Sequence, residues 1–194
     1  QRIVYDNTGT FVDINGLLPS TTYHYRVYEY SGTGGSIQYL TSSFASASQA
    51  TLSPPATQAT NVVFSSVGSN TMTVSWTNGN GNGRIVLMKA GSAVDAAPIG
   101  GATYNTSTTF GSGAQIGSGN YVIFRQTSGN SVNVVGLTPG VTYHVAVFEF
   151  NGSSTGAYNV NSPAIGSLAT TGAPTIAASG MFFNVIEGDG IRVN

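Results

Sequence analysis

The feature that most constrains this chain is an internal repeat. The run from Gly16 to Tyr30 recurs from Gly136 to Phe150, an offset of 136 − 16 = 120 residues. Gly16, Leu17, Pro19, Thr22, Tyr23, His24, Val27 and Glu29 fall in register on Gly136, Leu137, Pro139, Thr142, Tyr143, His144, Val147 and Glu149. Upstream, Ile3-Val4-Tyr5 matches Val122-Ile123-Phe124 after a slip of one residue; downstream, Tyr39 matches Tyr158 and Ala50-Thr51 matches Ala169-Thr170. A weaker second match sets Pro55-Ala56-Thr57 and Val63-Phe64 beside Pro174-Thr175-Ile176 and Phe182-Phe183, with Met72 on Ile191 and Val74 on Val193. Self-similarity at one long period is the mark of an array of like units. The chain is therefore expected to hold the later half of one repeat (1–52), a whole repeat (53–171) and the opening strands of a third (172–194). Turn-rich, proline-bearing boundaries lie at Leu52-Ser53-Pro54-Pro55 and Thr171-Gly172-Ala173-Pro174. Gln1-Arg2-Ile3-Val4-Tyr5 already reads as a strand, so the chain is expected to be a piece of something longer.

The local pattern is β throughout. Thr71-Met72-Thr73-Val74-Ser75-Trp76 alternates with period two, as do Tyr23 to Val27 and Tyr143 to Val147. Turns rich in Gly and Asn separate these runs, notably Asn78-Gly79-Asn80-Gly81-Asn82-Gly83. No segment keeps a helical period. Short strands with frequent turn signals predict an all-β sandwich of antiparallel sheets.

Composition narrows the function classes. Charged residues make up 7% of the 194, and the formal net charge is −1, against roughly a quarter charged in ordinary soluble domains. With no basic patch, a nucleic-acid partner is not expected. No apolar run approaches the roughly 18 residues of a membrane span. There is no cysteine, so the fold forms without disulfides. A surface solvated by Ser, Thr, Asn and Gly fits an exported β-protein better than a cytosolic enzyme.

The complete repeat resembles a fibronectin type III domain. Pro54-Pro55 opens it, a strand carries the single tryptophan Trp76, and Gly136-Leu137-Thr138-Pro139-Gly140-Val141-Thr142-Tyr143 looks like the family's turn into its sixth strand, with Tyr143 at the tyrosine corner. More narrowly, Ser75-Trp76-Thr77-Asn78-Gly79, Lys89-Ala90-Gly91-Ser92, Phe110-Gly111-Ser112-Gly113, Gly119-Asn120-Tyr121-Val122 and Phe148-Glu149-Phe150-Asn151-Gly152 are similar to repeats of large secreted and surface proteins of Bacteroidetes. That resemblance implies tandem immunoglobulin-like antiparallel sandwiches, one complete and two partial, in an extracellular protein of many domains exported by the type IX route. It implies a non-catalytic spacer or adhesive role. The whole repeat is longer than the roughly 100 residues common for such sandwiches, the surplus lying between Ala90 and Asn120.

The resemblance and the alternation together give the expected structural residues. Trp76, Leu137, Tyr143, Val145 and Val147 belong in the core. Pro139 shapes the turn. Tyr23 and Tyr143 send their hydroxyls back to the preceding turn. Glu29 and Glu149 continue the inward-facing series, and a buried carboxylate needs a partner; Arg84, opening the third strand beside the end of the sixth, is the expected partner of Glu149.

Candidate chemistry is sparse. His24 and His144 occupy equivalent places in different repeats without Cys, His or Asp at ligand spacing, so they read as solvent-facing strand residues and not as metal ligands. A lone carboxylate per repeat lacks the second group of a glycosidase. Glu187-Gly188-Asp189-Gly190 lacks the alternating oxygen ligands of a calcium loop and reads as a turn. The Asn-Gly run has no phosphate-loop ending. No cofactor or catalytic residue is expected. Tyr28, Tyr30, Phe148 and Phe150 point away from the core face; they either form a platform for sugars or another surface, or pack under a loop or a neighbouring domain. A carbohydrate- or surface-binding module, or an accessory domain of a secreted hydrolase, is thus the alternative to a spacer. The expected partners are neighbouring repeats of the same chain, together with another copy or a secretion or assembly protein over the incomplete units, because a half-sandwich leaves an apolar face and a strand edge open.

Overall fold

In the computed structural model, which describes residues 2–173, extended backbone dominates, and the only helical element among the described residues is a single 3-10 turn at Gly34–Ser36. The anticipated opening strands of a further repeat, with Phe182, Phe183, Ile191 and Val193, and the Glu187-Gly188-Asp189-Gly190 turn, lie outside the described residues.

The N-terminal segment holds four strands: β1 (Thr22–Val27), β2 (Tyr30–Ser31), β3 (Gln38–Tyr39) and β4 (Ala45–Ala50). β1 pairs antiparallel with β4, setting Tyr23 opposite Gln49, and β2 pairs with β3. Every residue of β4 is exposed, and so is nearly all of β1.

The following nine strands form a two-sheet sandwich. β5 (Thr60–Ser65), β6 (Thr71–Thr77) and, later, β10 (Ser131–Val135) make one sheet in the order β10-β6-β5. β7 (Gly83–Ala90), β8 (Gln115–Ile116), β9 (Asn120–Gln126), β11 (Thr142–Asn151), β12 (Ala157–Tyr158) and β13 (Ala164–Ala169) make the other. There β11 is flanked on one side by β7 and on the other by β13 and then β12, while β9 and β8 continue beyond β7. All described pairings between strands are antiparallel.

Alternation decides which side chains meet between the sheets. In β6 the residues Met72, Val74 and Trp76 are buried while their neighbours are not. They join Val86, Met88, Ile123, Phe124, Val134, Leu137, Tyr143, Val145 and Val147 in the core. The Trp76 and Phe124 rings meet edge to face, 5.1 Å apart, a preferred aromatic geometry.

The second sheet is covered on its outer face as well. β7 is buried without interruption from Gly83 to Met88. Its run Ile85-Val86-Leu87-Met88 is what a strand buried on both faces requires. The cover comes from the surplus segment between Ala90 and Asn120: Val94, Ala96, Tyr104, Ala114 and Ile116 pack over Ile85, Leu87, Val122, Ala146, Phe148 and Phe150, with Tyr158 beside them. The extra length of this repeat is therefore a third layer.

Candidate functional site

The most organised polar constellation sits at the pole of the sandwich where β11 ends. Alternation along β11 turns Glu149 inward with Tyr143, Val145 and Val147, and its side chain is fully buried. A buried carboxylate must be paired or hydrogen-bonded. The Asn-Gly loop between β6 and β7 supplies the bonds: the Gly79 N–H donates to Glu149 Oε1 at 2.8 Å and the Gly81 N–H to Oε2 at 2.9 Å. Arg84 Nε lies 3.7 Å from Oε1, close enough for charge attraction but without a hydrogen bond. The backbone amides, not the guanidinium, are the principal partners.

Glycine is required here by close approach. A Cβ on Gly79 would meet the Gln58 carbonyl oxygen at 2.7 Å; one on Gly81 would meet Glu149 Oε2 at 2.6 Å and Pro55 Cγ at 2.9 Å. All three distances are too short for real carbon neighbours.

The same loop fastens the segment that leads into the repeat. Asn80 Oδ1 accepts from the Thr57 N–H at 2.8 Å, and the Asn80 N–H returns a bond to the Thr57 carbonyl at 3.3 Å. Asn151 Nδ2 donates to the Ser53 carbonyl at 3.0 Å. Asn82 and Asn151 clasp each other's loops: the Asn82 N–H donates to Asn151 Oδ1, and the Gly152 N–H to Asn82 Oδ1. Gln58 completes the arrangement, accepting from the Glu149 N–H and donating through Nε2 to the Asn159 and Asn161 carbonyls. Residues Ser53 to Gln58 are thus hydrogen-bonded to the end of β11 and to both loops beside it.

At the opposite pole, Tyr143 Oη accepts from the Thr138 N–H at 2.9 Å; in the N-terminal segment, Tyr23 Oη accepts from the Leu18 N–H at 2.9 Å. Pro139 is exposed in the turn, followed by Gly140 at φ +71. A threonine clip accompanies each corner. Thr170 Oγ1 donates to the Thr138 carbonyl at 2.7 Å, as Thr51 Oγ1 does to the Leu18 carbonyl at 2.6 Å.

The aromatic platform is not present on the complete repeat. Phe148 and Phe150 are buried, not exposed: the third layer and β12 cover the face they project from. Phe150 packs on Tyr158, and the Arg125 guanidinium lies 4.6 Å over its ring. Arg125 also donates to Tyr158 Oη at 2.8 Å and to the Ser153 and Ser154 carbonyls. Burial holds the Tyr158 phenol above its ordinary range, with Arg125 pulling the other way. A shallow cleft beside Phe150 is lined by Arg125, Gln126, Thr127, Ser128 and Ser153. Tyr28 and Tyr30 are half-buried and stack against Phe44 and Tyr39.

This arrangement binds backbone N–H groups and holds a buried charge. His24 and His144 stand on different sheets, each on its own strand. Among the described residues no cluster of His, Asp or Glu has the makings of a metal site. Sequence reasoning missed Gln58, Asn80, Asn151 and Arg125. The three Asn-Gly pairs in succession end 149 − 83 = 66 residues before Glu149, so nothing in the sequence set them beside it. Thr51 and Thr170 carried a signal, since they coincide in the repeat register.

Comparison with a family model agrees with this architecture. The model of the fibronectin type III domain family matches residues 53–164, more than half of the chain. No curated protein sequence matches. Among solved structures the chain is similar to the FN5 domain of Drosophila Lar, at 16% identity over 62% of this chain and 99% of that one, with a TM-score of 0.37. It is similar to the FN1–FN3 domains of chicken CNTN1, at 18% identity over 80% of this chain and 44% of that one, with a TM-score of 0.42. A computationally redesigned β-sandwich protein matches at 15% identity over 61% and 93%, with a TM-score of 0.42.

Proposed function

Because this chain belongs to the fibronectin type III domain family, we propose that it is a non-catalytic spacer segment of a larger extracellular or cell-surface protein. Domains of this family typically serve as structural modules in multidomain proteins. The observation that carries the reading is the fastened entry segment. Ser53, Thr57 and Gln58 are bonded to the loops around Glu149, so the chain enters the repeat along a fixed path. A spacer that transmits position needs such a joint, and Pro54-Pro55 stiffens the same segment.

In the same reading, residues 1–52 are the later strands of a preceding repeat. Their cover would be strands equivalent to β5, β6, β7 and β10, supplied by a neighbouring repeat, another copy or an assembly partner. Export by the type IX route rests on the motif resemblance to Bacteroidetes surface repeats. No helix among the described residues is long and apolar enough to cross a membrane. An adhesive role stays within this proposal, but the buried state of Phe148 and Phe150 removes the side chains that best suited a sugar platform.

Spin labels placed one within residues 53–58 and one on β10 test the joint. The native chain should give a narrow distance distribution, and the double variant Asn80→Ala, Asn151→Ala a broad one. A broad distribution in the native chain would refute a positional spacer.

A further inference from the structure

Five Asn-Gly pairs occur in the chain: Asn15-Gly16, Asn78-Gly79, Asn80-Gly81, Asn82-Gly83 and Asn151-Gly152. Glycine carries no side chain to hinder its own nitrogen from reaching the preceding carboxamide, and its backbone moves freely. Such pairs can therefore cyclise. The glycine N–H gives its proton to solvent base, the nitrogen bonds to asparagine Cγ, and the side-chain nitrogen leaves as ammonia with a proton from water. Water then opens the succinimide at either carbonyl, producing aspartate or isoaspartate. The reaction slows where the N–H is committed to an acceptor or the carboxamide is held away.

The fold treats the pairs unequally. Asn15, Asn78, Asn80 and Asn82 are all exposed, so access to water does not separate them. Hydrogen bonding does. The Gly79 and Gly81 N–H groups are both committed to the Glu149 carboxylate, and removing a proton beside a carboxylate is further opposed by like charge. The carboxamides are anchored too: Asn78 Oδ1 accepts from Trp76 Nε1 at 3.0 Å, and Asn80 Oδ1 from the Thr57 N–H. Asn82 and Asn151 hold each other, and Gly83 is paired with Phe150 inside the sheet. At Asn15-Gly16, among the described residues, neither the carboxamide nor the Gly16 N–H has a hydrogen-bond partner, and a Cβ added at Gly16 would meet nothing within 4 Å. The equivalent corner of the complete repeat carries Val135-Gly136, which has no amide to lose.

We propose that Asn15 is the site of spontaneous deamidation in this chain, and that Glu149 guards Asn78 and Asn80 against the same reaction.

The test is incubation of the 194-residue chain at mildly alkaline pH, followed by peptide mapping for aspartate and isoaspartate. Denatured chain supplies the unprotected rates, at which the five pairs should converge. In the native chain Asn15 should stay near its denatured rate, while Asn78 and Asn80 fall at least about tenfold below theirs, equivalent to about 1.4 kcal/mol of opening cost. In Glu149→Gln, Asn78 and Asn80 should accelerate while Asn82 and Asn151 remain slow. If that variant unfolds, all pairs accelerate together, and the native-to-denatured ratio of the unaltered chain decides. Native Asn78 or Asn80 reacting at the denatured rate, or Asn15 protected as strongly as they are, would overturn the proposal.

Discussion

The pair β1–β4 and the pair β11–β13 are built alike and live in opposite surroundings. In one, Thr22 lies opposite Ala50 and Val27 opposite Ala45; in the other, Thr142 lies opposite Ala169 and Val147 opposite Ala164. The tyrosine corner and the threonine clip recur in both. Yet Val27 is 56% exposed and Val147 fully buried. The hydrogen-bond pattern thus follows from the local sequence, whereas burial depends on whether β6, β7 and β10 or their counterparts are laid against the strands. Ladder bonds alone add little net stability, and an isolated two-stranded ribbon is marginal in water. The covered unit should carry the cooperative stability, and the uncovered one very little.

Matched substitutions sharpen that contrast. The largest effect is expected from Trp76→Ala, which empties the centre of the covered core and should cost roughly 3–5 kcal/mol, read as a collapse of the denaturation midpoint. Next is Glu149→Ala. It leaves the Gly79 and Gly81 N–H groups and the Arg84 charge without their partner and should cost about 3 kcal/mol. The counterpart Glu29→Ala, at an exposed position, should stay within about 0.5 kcal/mol. Equal losses from the two would break the comparison.

A smaller effect is expected at the corners. Tyr143→Phe removes the acceptor of the Thr138 N–H and should lower stability by about 1 kcal/mol; Tyr23→Phe should leave the main transition unmoved. The smallest concerns acid. The Lys89 ammonium, 2.7 Å from Asp95, and then the Asn120 amide hold the Asp95 carboxyl below its ordinary value of 3.8. A depressed folded pKa contributes stability that is present above the unfolded value and lost as pH falls through the folded one. The midpoint difference between the unaltered chain and Asp95→Asn should therefore be small at neutral pH and shrink further as pH falls below 3.8; a difference that widens there would contradict the assignment.

Much of this was legible in the sequence, for physical reasons. Period-two alternation marked β6 and β11, so Trp76, Tyr143, Val145 and Val147 could be assigned to the core face, and the repeat marked both corners. For Phe148 and Phe150 two readings stayed open because alternation gives only the face, not what lies over it; the structure shows the packed one. Their cover is a Gly-, Ser- and Thr-rich segment with few apolar residues, among them Val94, Ala96 and Tyr104, and no period. Glu149 was legible as an inward carboxylate. Arg84, the partner that charge in a sequence points to, does stand beside it at 3.7 Å, but the two N–H donors that hold its oxygens were not legible, because backbone N–H groups belong to every residue except proline and leave no mark beyond the glycines that let them approach.

Amide hydrogen exchange on the 194-residue chain tests the central claim most directly. Residues of β5 to β13, between 60 and 169, should exchange together and slowly, at the rate of global opening. Those of β1 and β4 should exchange quickly despite their ladder, since nothing described covers them. Slow, concerted exchange in Thr22–Val27 and Ala45–Ala50 of the monomer would contradict the account.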